Sequence, residues 1–399
     1  MNEKVIKYIL DGWDKTVRRT EWEGAEFNEE GTLWLPHSFV VPCDNGIFYT
    51  MYYWDTYFAA RGLLLSGRYD TVADIIKNFI YMIEKYGFIL HASYKKMIAR
   101  ESSQPAFFGI LLADYLKATG DRELFSEGLK ALKKELEFWY TRRTSENGLA
   151  YYGCSDDIES YIYIYDLYVE RTGLVPIGER EYAARNIYAE AESGWDFCGR
   201  FFGKCFEYNA VDLNSLLWFD ETLLAKYFPD EDWAQRAEAR KSKMRTFMRG
   251  EDGVFYDYSY VEGKRGALIS CASFFPYFVG MIDDEKGIDA LLKTLELDFG
   301  LQAADKSYGN FQWGADNGWA CLQLVATEAL LGIGRNRDAL RVAKKYVDLV
   351  DKIFADTGRL WEKYNVREGS KDAVGEYGTP EMYGWTAGVY QALSILIDT

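Results

Sequence analysis

Apolar residues recur along this chain at intervals of three and four. After the turn-like Ser66-Gly67-Arg68-Tyr69-Asp70, the run from Val72 to Ile80 is apolar at i, i+3, i+4 and i+7, the mark of a helix with one buried face. Similar patterns predict helices over about 3–17, 56–66, 105–119, 122–143, 159–172, 179–192, 211–228, 230–248, 284–296, 318–332, 335–355 and 384–397. Strand-like alternation is scarce; Gly253 to Tyr258 reads as one short extended piece. Many helices are joined by short turns such as Ala118-Thr119-Gly120-Asp121 and Gly332-Ile333-Gly334-Arg335-Asn336, and short connections favour antiparallel neighbours. No strict repeat disciplines the pattern, which disfavours a solenoid. Roughly a dozen hairpin-paired helices predict an all-α fold, a closed double ring of helices or (α/α) toroid. Only seven prolines and no Pro/Ser-rich linker occur, so a single domain over 1–399 is expected, with 1–30 as an N-terminal helix and lead-in.

Composition narrows the chemistry. The chain has 399 residues, is 48% hydrophobic and carries a net charge of −16, enough apolar mass for a large core and a poor match to nucleic acid or anionic membrane. No stretch of about 18 uncharged apolar residues predicts a membrane span. The amino terminus lacks the uninterrupted apolar core of a signal peptide. Six cysteines are scattered without CxxC spacing. Read as reduced, buried thiols, they predict a cytoplasmic protein. Two histidines, His37 and His91, leave little scope for zinc or for a Ser-His-Asp triad, and no phosphate-binding glycine loop occurs, so no metal and no cofactor are expected. Asp156-Asp157-Ile158-Glu159 is a weak echo of the metal-binding acidic clusters of terpenoid enzymes. Aromatic residues are abundant, with 31 Tyr, 24 Phe and 12 Trp. Most pack between helices, but rings with polar tips also suit a cleft for a sugar.

The polar-aromatic clusters fall in the long segments between helices, at about 20–53, 87–104, 144–157, 193–210, 300–317 and 356–383. Long loops in a compact fold are usually functional, so one end of the ring is expected to carry a site. Two segments each offer one carboxylate in an aromatic setting: Ala191-Glu192-Ser193-Gly194-Trp195-Asp196-Phe197 and Trp361-Glu362-Lys363-Tyr364-Asn365. Such a pair is what a glycoside hydrolase needs, one acid and one base flanking the sugar bond. Apolar neighbours and a position near a helix carboxyl end would both raise the pKa of Asp196, as a general acid requires. Taken alone, Asp196 also reads as a turn residue, Glu362 as a solvated carboxylate and Asp55 as a helix N-cap.

Taken in order, the clusters resemble the glycoside hydrolase family that contains the α,α-trehalases. Tyr52-Tyr53-Trp54-Asp55-Thr56-Tyr57 is similar to the family's YYWDSY, and Ser103-Gln104-Pro105 follows Tyr86 to His91 as SQPP follows YGxIPN. Ala191 to Phe201 is similar to AESGWDFSSRW, and Gln312 to Gln323 to QWDxPNGWAPLQ. Glu362-Lys363-Tyr364-Asn365-Val366, Gly375-Glu376-Tyr377 and Tyr383 to Val389 stand where the family has EKYDV, GGEY and FGWTNGV. The resemblance runs from about residue 45 to the carboxyl terminus. It implies an (α/α)6 barrel, a six-hairpin toroid, that cleaves a small α-glucoside with inversion, α,α-trehalose being the expected substrate. Asp196 would be the general acid and Glu362 the general base, with carboxyls about 6.5–9.5 Å apart. Substrate contacts are expected from Trp54, Asp55, His91, Arg100, Gln104, Gly194, Trp195, Gln312, Trp313 and Glu376, and Trp319 and Trp385 read as walls behind them. The expected partner is a small sugar.

The departures concern recognition. The family's PGGRFRE segment appears as Cys43 to Met51, with no arginine. Arg100 stands four residues before Gln104 instead of two, His91 replaces an asparagine and Gly314 the Asp of QWD. The family's RPE arginine has two possible counterparts, Arg171 and Arg180. Arginine forks set polar recognition geometry. A related α-glycosidase acting on another disaccharide or glycosyl conjugate therefore stays open, as does a non-catalytic sugar-binding protein.

Overall fold

Six helical segments, Tyr53–Leu65, Phe108–Thr119, Val211–Tyr227, the joined turns Cys271–Phe274 and Phe275–Phe278, Ala320–Gly332 and Gly384–Asp398, touch one another in that order, and the last returns to the first. The computed structural model describes residues 1–44, 48–157, 162–306, 311–373 and 380–398. Around the inner ring lie Glu3–Thr16, Tyr69–Tyr86, Arg122–Arg142, Trp233–Phe247, Ile288–Leu295 and Asn336–Thr357, each against an inner segment. The chain is an all-α (α/α)6 barrel.

The two rings differ in sequence because they differ in exposure. Outer helices bury one stripe: Tyr69–Tyr86 turns Val72, Ile75, Ile76, Phe79, Met82 and Ile83 inward, and Asn336–Thr357 does so with Ala339, Val342, Ala343, Tyr346, Val350 and Ile353. Inner helices are covered on all sides; Tyr53 through Ala60 are buried without a break. The ring closes where backbones meet. A Cβ on Gly388 would stand 2.1 Å from the Phe58 carbonyl oxygen, and one on Gly62 2.6 Å from Gly388 Cα, so only glycine permits this approach.

Helix starts shift for physical reasons. The 105–119 helix begins at Phe108, whose free N–H donates to the Tyr53 hydroxyl at 3.0 Å across the ring. The 56–66 helix begins at Tyr53 with Tyr52 as its cap residue, so Asp55 lies inside the first turn and is not the N-cap. Cys271–Phe278 was not expected as a helix: a segment this short and buried all round shows no polar-apolar period. Lys95–Ala99 is likewise too short to announce itself. Gly253 to Tyr258 is extended only in part, with Tyr258–Ser259 pairing Tyr208–Asn209 and Lys264–Arg265.

Two features position the site. Ile164–Thr172 and Arg180–Glu192 pair as a hairpin inserted between Arg122–Arg142 and Val211–Tyr227 in the chain. Strands Asn317–Trp319 and Lys363–Asn365 pair antiparallel, Trp319 opposite Lys363, and bring the Gln312 and Glu362 loops together. Among the described residues no helix is long and apolar enough to cross a membrane, and no cluster of His, Cys, Asp and Glu has the makings of a metal site. Ile158 and Glu159 of the acidic echo lie outside the described residues.

Candidate active site

Helix Arg180–Glu192 ends as its sequence indicates. Ser193 caps it, and Gly194 follows in the left-handed region at φ 72. A Cβ at Gly194 would meet the Trp54 ring at 2.7 Å, so the glycine serves both the turn and a close approach. Glu192, fully buried, holds the helix end in place. It accepts from Arg143 Nε at 2.8 Å, from the Ser103 amide at 3.0 Å and from the Gly153 amide at 2.6 Å. One carboxylate thus ties the Asp196 loop to the loop that carries Gln104. Beyond it, Arg200 pairs with Asp212 and Asp257 through four hydrogen bonds of 2.7–2.8 Å. The Arg200 guanidinium also lies 4.8 Å from the Trp195 ring. Trp195 is wholly buried between Arg200 and Trp313, whose ring is 5.1 Å away.

The two marked carboxylates belong to one hydrogen-bonded row. Gln312 Nε2 donates to Asp196 Oδ2 at 3.1 Å. Lys363 Nζ donates to Gln312 Oε1 at 3.5 Å and to Glu362 Oε2 at 2.6 Å. Gln312 is itself fixed, its carbonyl accepting from Asn317 Nδ2 at 2.8 Å and Trp319 Nε1 at 3.0 Å. The Glu362 carbonyl accepts from Trp385 Nε1 at 2.9 Å. Glu362 and Lys363 are buried, whereas Asp196 keeps an accessible face.

Aromatic rings form the wall. Trp313 stacks on Trp319 with centroids 3.7 Å apart, and Trp54 stands 5.5 Å from Trp313 and 5.9 Å from Trp385. The Trp54 amide donates to Gln104 Oε1 at 3.1 Å. That fixes the amide orientation of Gln104, so its Nε2 donates to His91 Nε2 at 3.2 Å. His91 must be neutral to accept, and burial with the nearby Arg100 charge pushes its pKa down to about 4. Arg100 also donates to the Tyr163 hydroxyl and stacks 4.5 Å over Tyr188. Asp55 accepts from the Tyr383 hydroxyl at 2.9 Å.

Electrostatics separate the carboxyls. Burial, then the charge of Glu362, pushes Asp196 up to about 6, against the pull of Lys363 and Arg171. Burial likewise carries Asp55 up to about 7, with Glu362 and Asp196 adding to it. Two raised carboxyls beside an ion-paired Glu362 form an arrangement that can hold a proton on one side of a bond and accept one on the other.

Of the residues singled out in the sequence, Asp196 and Gln312 meet directly and Lys363 joins them to Glu362, while Trp313, Trp54, Gln104, His91 and Asp55 form the adjoining wall. Glu376 lies outside the described residues, as do Asn45, Gly46 and Ile47 of the segment that lacks the family arginines. Between the two arginines, Arg171 acts on Asp196, whereas Arg180 pairs with Asp166 at the surface. Lys363 and Tyr383 were not assigned roles from sequence, although both sit inside quoted motifs. Only the tertiary contacts reveal what they hold.

The family model for trehalase matches residues 2–396. The periplasmic trehalase of Pseudomonas aeruginosa is 29% identical, aligned over 96% of this chain and 75% of that protein. The periplasmic trehalase of Escherichia coli is 29% identical over 96% and 73%. The structure of the neutral trehalase of Saccharomyces cerevisiae superposes with a TM-score of 0.77 at 25% identity, over 99% of this chain and 80% of that one. The mannosylglycerate hydrolase of Thermus thermophilus, at 15% identity and TM-score 0.61, over 89% of this chain and 95% of that one, shares the fold. The cytoplasmic expectation is overturned, because several relatives spanning 90–96% of the chain are named periplasmic. The thiols misled: all six are buried and free, and a free thiol shielded by burial does not report its compartment. The chain belongs to the trehalase family, a family of glycoside hydrolases.

Proposed function

We propose that this chain hydrolyses α,α-trehalose to glucose with inversion, Asp196 acting as general acid and Glu362 as general base. The observation that supports the reading is the row Asp196–Gln312–Lys363–Glu362, which links a carboxyl raised by burial to a carboxylate held by a lysine. Asp196 gives its proton to the leaving glycosidic oxygen. Glu362 takes one from the water that attacks the anomeric carbon from the other face. Trp54 and Trp313 shape the wall the sugar would lie against, backed by the buried Trp195 and Trp319, and Asp55, His91, Arg100, Gln104, Gly194 and Glu376 complete the proposed binding set. The net charge of −16 supports a neutral sugar as partner over nucleic acid or an anionic membrane. The ring, closed by its last helix on its first, supports a single catalytic domain over the chain.

A second reading, hydrolysis of another small α-glucoside, draws on the arginine-free segment Cys43 to Met51. The test is a hydrolysis screen of trehalose beside other α-glucosides and α-mannosides, with Asp196→Asn and Glu362→Gln as controls. Trehalose should be the best substrate, each variant should lose about 10²-fold or more, and NMR should show one β-glucose released per cleavage. Full activity in both variants would make the acid and base assignment untenable. Preference for another sugar would replace the substrate alone.

A further inference from the structure

Tyr383, one residue before helix Gly384–Asp398, is buried, and its hydroxyl donates to Asp55 Oδ1 at 2.9 Å. Asp55 sits in the first turn of helix Tyr53–Leu65, so the contact joins the start of the first inner helix to the start of the last. The tyrosine is the fixed partner. Its ring packs 4.7 Å from Trp385 and meets Phe48 edge-on at 6.2 Å. The backbone beside it is anchored, with Met382 buried and the Gly384 amide donating to the Pro42 carbonyl at 2.7 Å. Trp385 in turn donates from Nε1 to the Glu362 carbonyl at 2.9 Å. One short segment thus reaches Asp55 through Tyr383 and the Glu362 loop through Trp385. The residue type is a departure as well, since this chain has Tyr383 where the family motif FGWTNGV has phenylalanine.

We propose that Tyr383 is a positioning residue for sugar recognition: its hydroxyl fixes the Asp55 carboxylate in the orientation that accepts a hydrogen bond from one substrate hydroxyl. The inference rests on the reading of Asp55 as a sugar contact. An aspartate side chain turns about two bonds, and without a donor beside it the carboxylate samples several orientations. A carboxylate accepts at two oxygens, each with two lone pairs. Tyr383 takes one of these positions on Oδ1, and the sugar hydroxyl uses one that remains. A sugar lacking that hydroxyl leaves a buried acceptor unsatisfied, which is costly away from water. The held carboxylate therefore selects between sugars that differ at a single hydroxyl. Tyr383 touches no substrate atom in this scheme, and its effect passes through Asp55.

The test uses the full-length wild type and Tyr383→Phe, which removes the hydroxyl alone and installs the residue of the family motif. Both are assayed on trehalose and on the symmetric dideoxy trehaloses lacking the hydroxyl at C2, C3, C4 or C6 of each ring. Tyr383→Phe should raise KM for trehalose on the order of tenfold, the scale of one hydrogen bond to a charged group, with kcat nearly unchanged. The rise, read as KM or as an inhibition constant, should vanish on the analogue that lacks the hydroxyl Asp55 accepts. An unchanged KM, a loss confined to kcat, or the same rise on every analogue would overturn the proposal. Asp55→Ala separates the two ideas. A wild-type KM in that variant removes Asp55 as a sugar contact, whereas a raised KM there beside an unaffected Tyr383→Phe removes only the role of Tyr383. A wild type inactive on trehalose removes the substrate reading, and calorimetry with glucose then decides. A Kd about tenfold weaker in Tyr383→Phe keeps the role of Tyr383, and equal Kd values remove it.

Discussion

Gln312 donates to the Asp196 carboxyl at 3.1 Å and lies within 3.5 Å of Lys363, so one amide joins the acid's side of the site to the base's side. A hydrogen bond to a charged group is worth about 1.5–3 kcal/mol. Gln312→Ala should therefore lower kcat about tenfold or more, with a smaller change in KM. Steady-state kinetics on trehalose check this. A change confined to KM would mean that Gln312 binds sugar and does not order the carboxyls.

The pH profile follows from the raised acid. As the proposed general acid, Asp196 would act only while protonated, and its pKa is pushed up to about 6. The rate should hold below that pH and fall above it. Arg171 pulls the acid's pKa down, so Arg171→Met should move the alkaline limb of kcat to higher pH. A limb that stays in place would detach Arg171 from the acid.

Gly194 offers a steric test. With φ 72 and the Trp54 ring 2.7 Å from any added Cβ, Gly194→Ala strains the backbone and pushes either the ring or the acid's loop. Activity should drop by about 10²-fold, while circular dichroism shows the helices intact. An alanine variant with wild-type kcat would show that the turn has slack.

Stability should carry its own pH signature. Glu135 is buried, with Oε1 accepting from the Tyr53 hydroxyl at 2.7 Å and Oε2 lacking a hydrogen-bond partner. Both oxygens of Asp220, a neighbouring buried carboxyl, also lack one. Burial pushes Glu135 up to about 8. A folded pKa above the unfolded one gives stability that is full below the ordinary carboxyl range and is lost as pH rises through 8. The melting temperature should decline from about pH 4.5 toward pH 8, and Glu135→Gln, which cannot ionise, should flatten that decline. An identical slope in the variant would assign the decline to other groups.

The outer helices were legible because each is amphipathic. The stripe from Val72 to Ile83 announces itself at a period near 3.6. Cys271–Phe278, an inner-ring member, was not, because burial on every side erases the period that reveals a helix. The Asp196 loop was legible in part. Gly194 marked the helix end, but its contact with Trp54 joins residues far apart in the chain. Asp55 could be read as a cap until Tyr383, 328 residues away, was found to hold it. Arg171 and Arg180 were equivalent as letters and are separated only by which of them reaches the acid.

Sequence alone therefore determined the helical ring, the order of the loops and the two carboxylates to watch, since periodicity and turn residues express interactions between near neighbours. The tertiary structure alone decided which side chains hold those carboxylates and how strongly Asp196 keeps its proton. Charge state depends on burial and on the charges close by in space, and here those come from Glu362, Lys363 and Arg171, which the chain delivers to Asp196 only when the ring has closed.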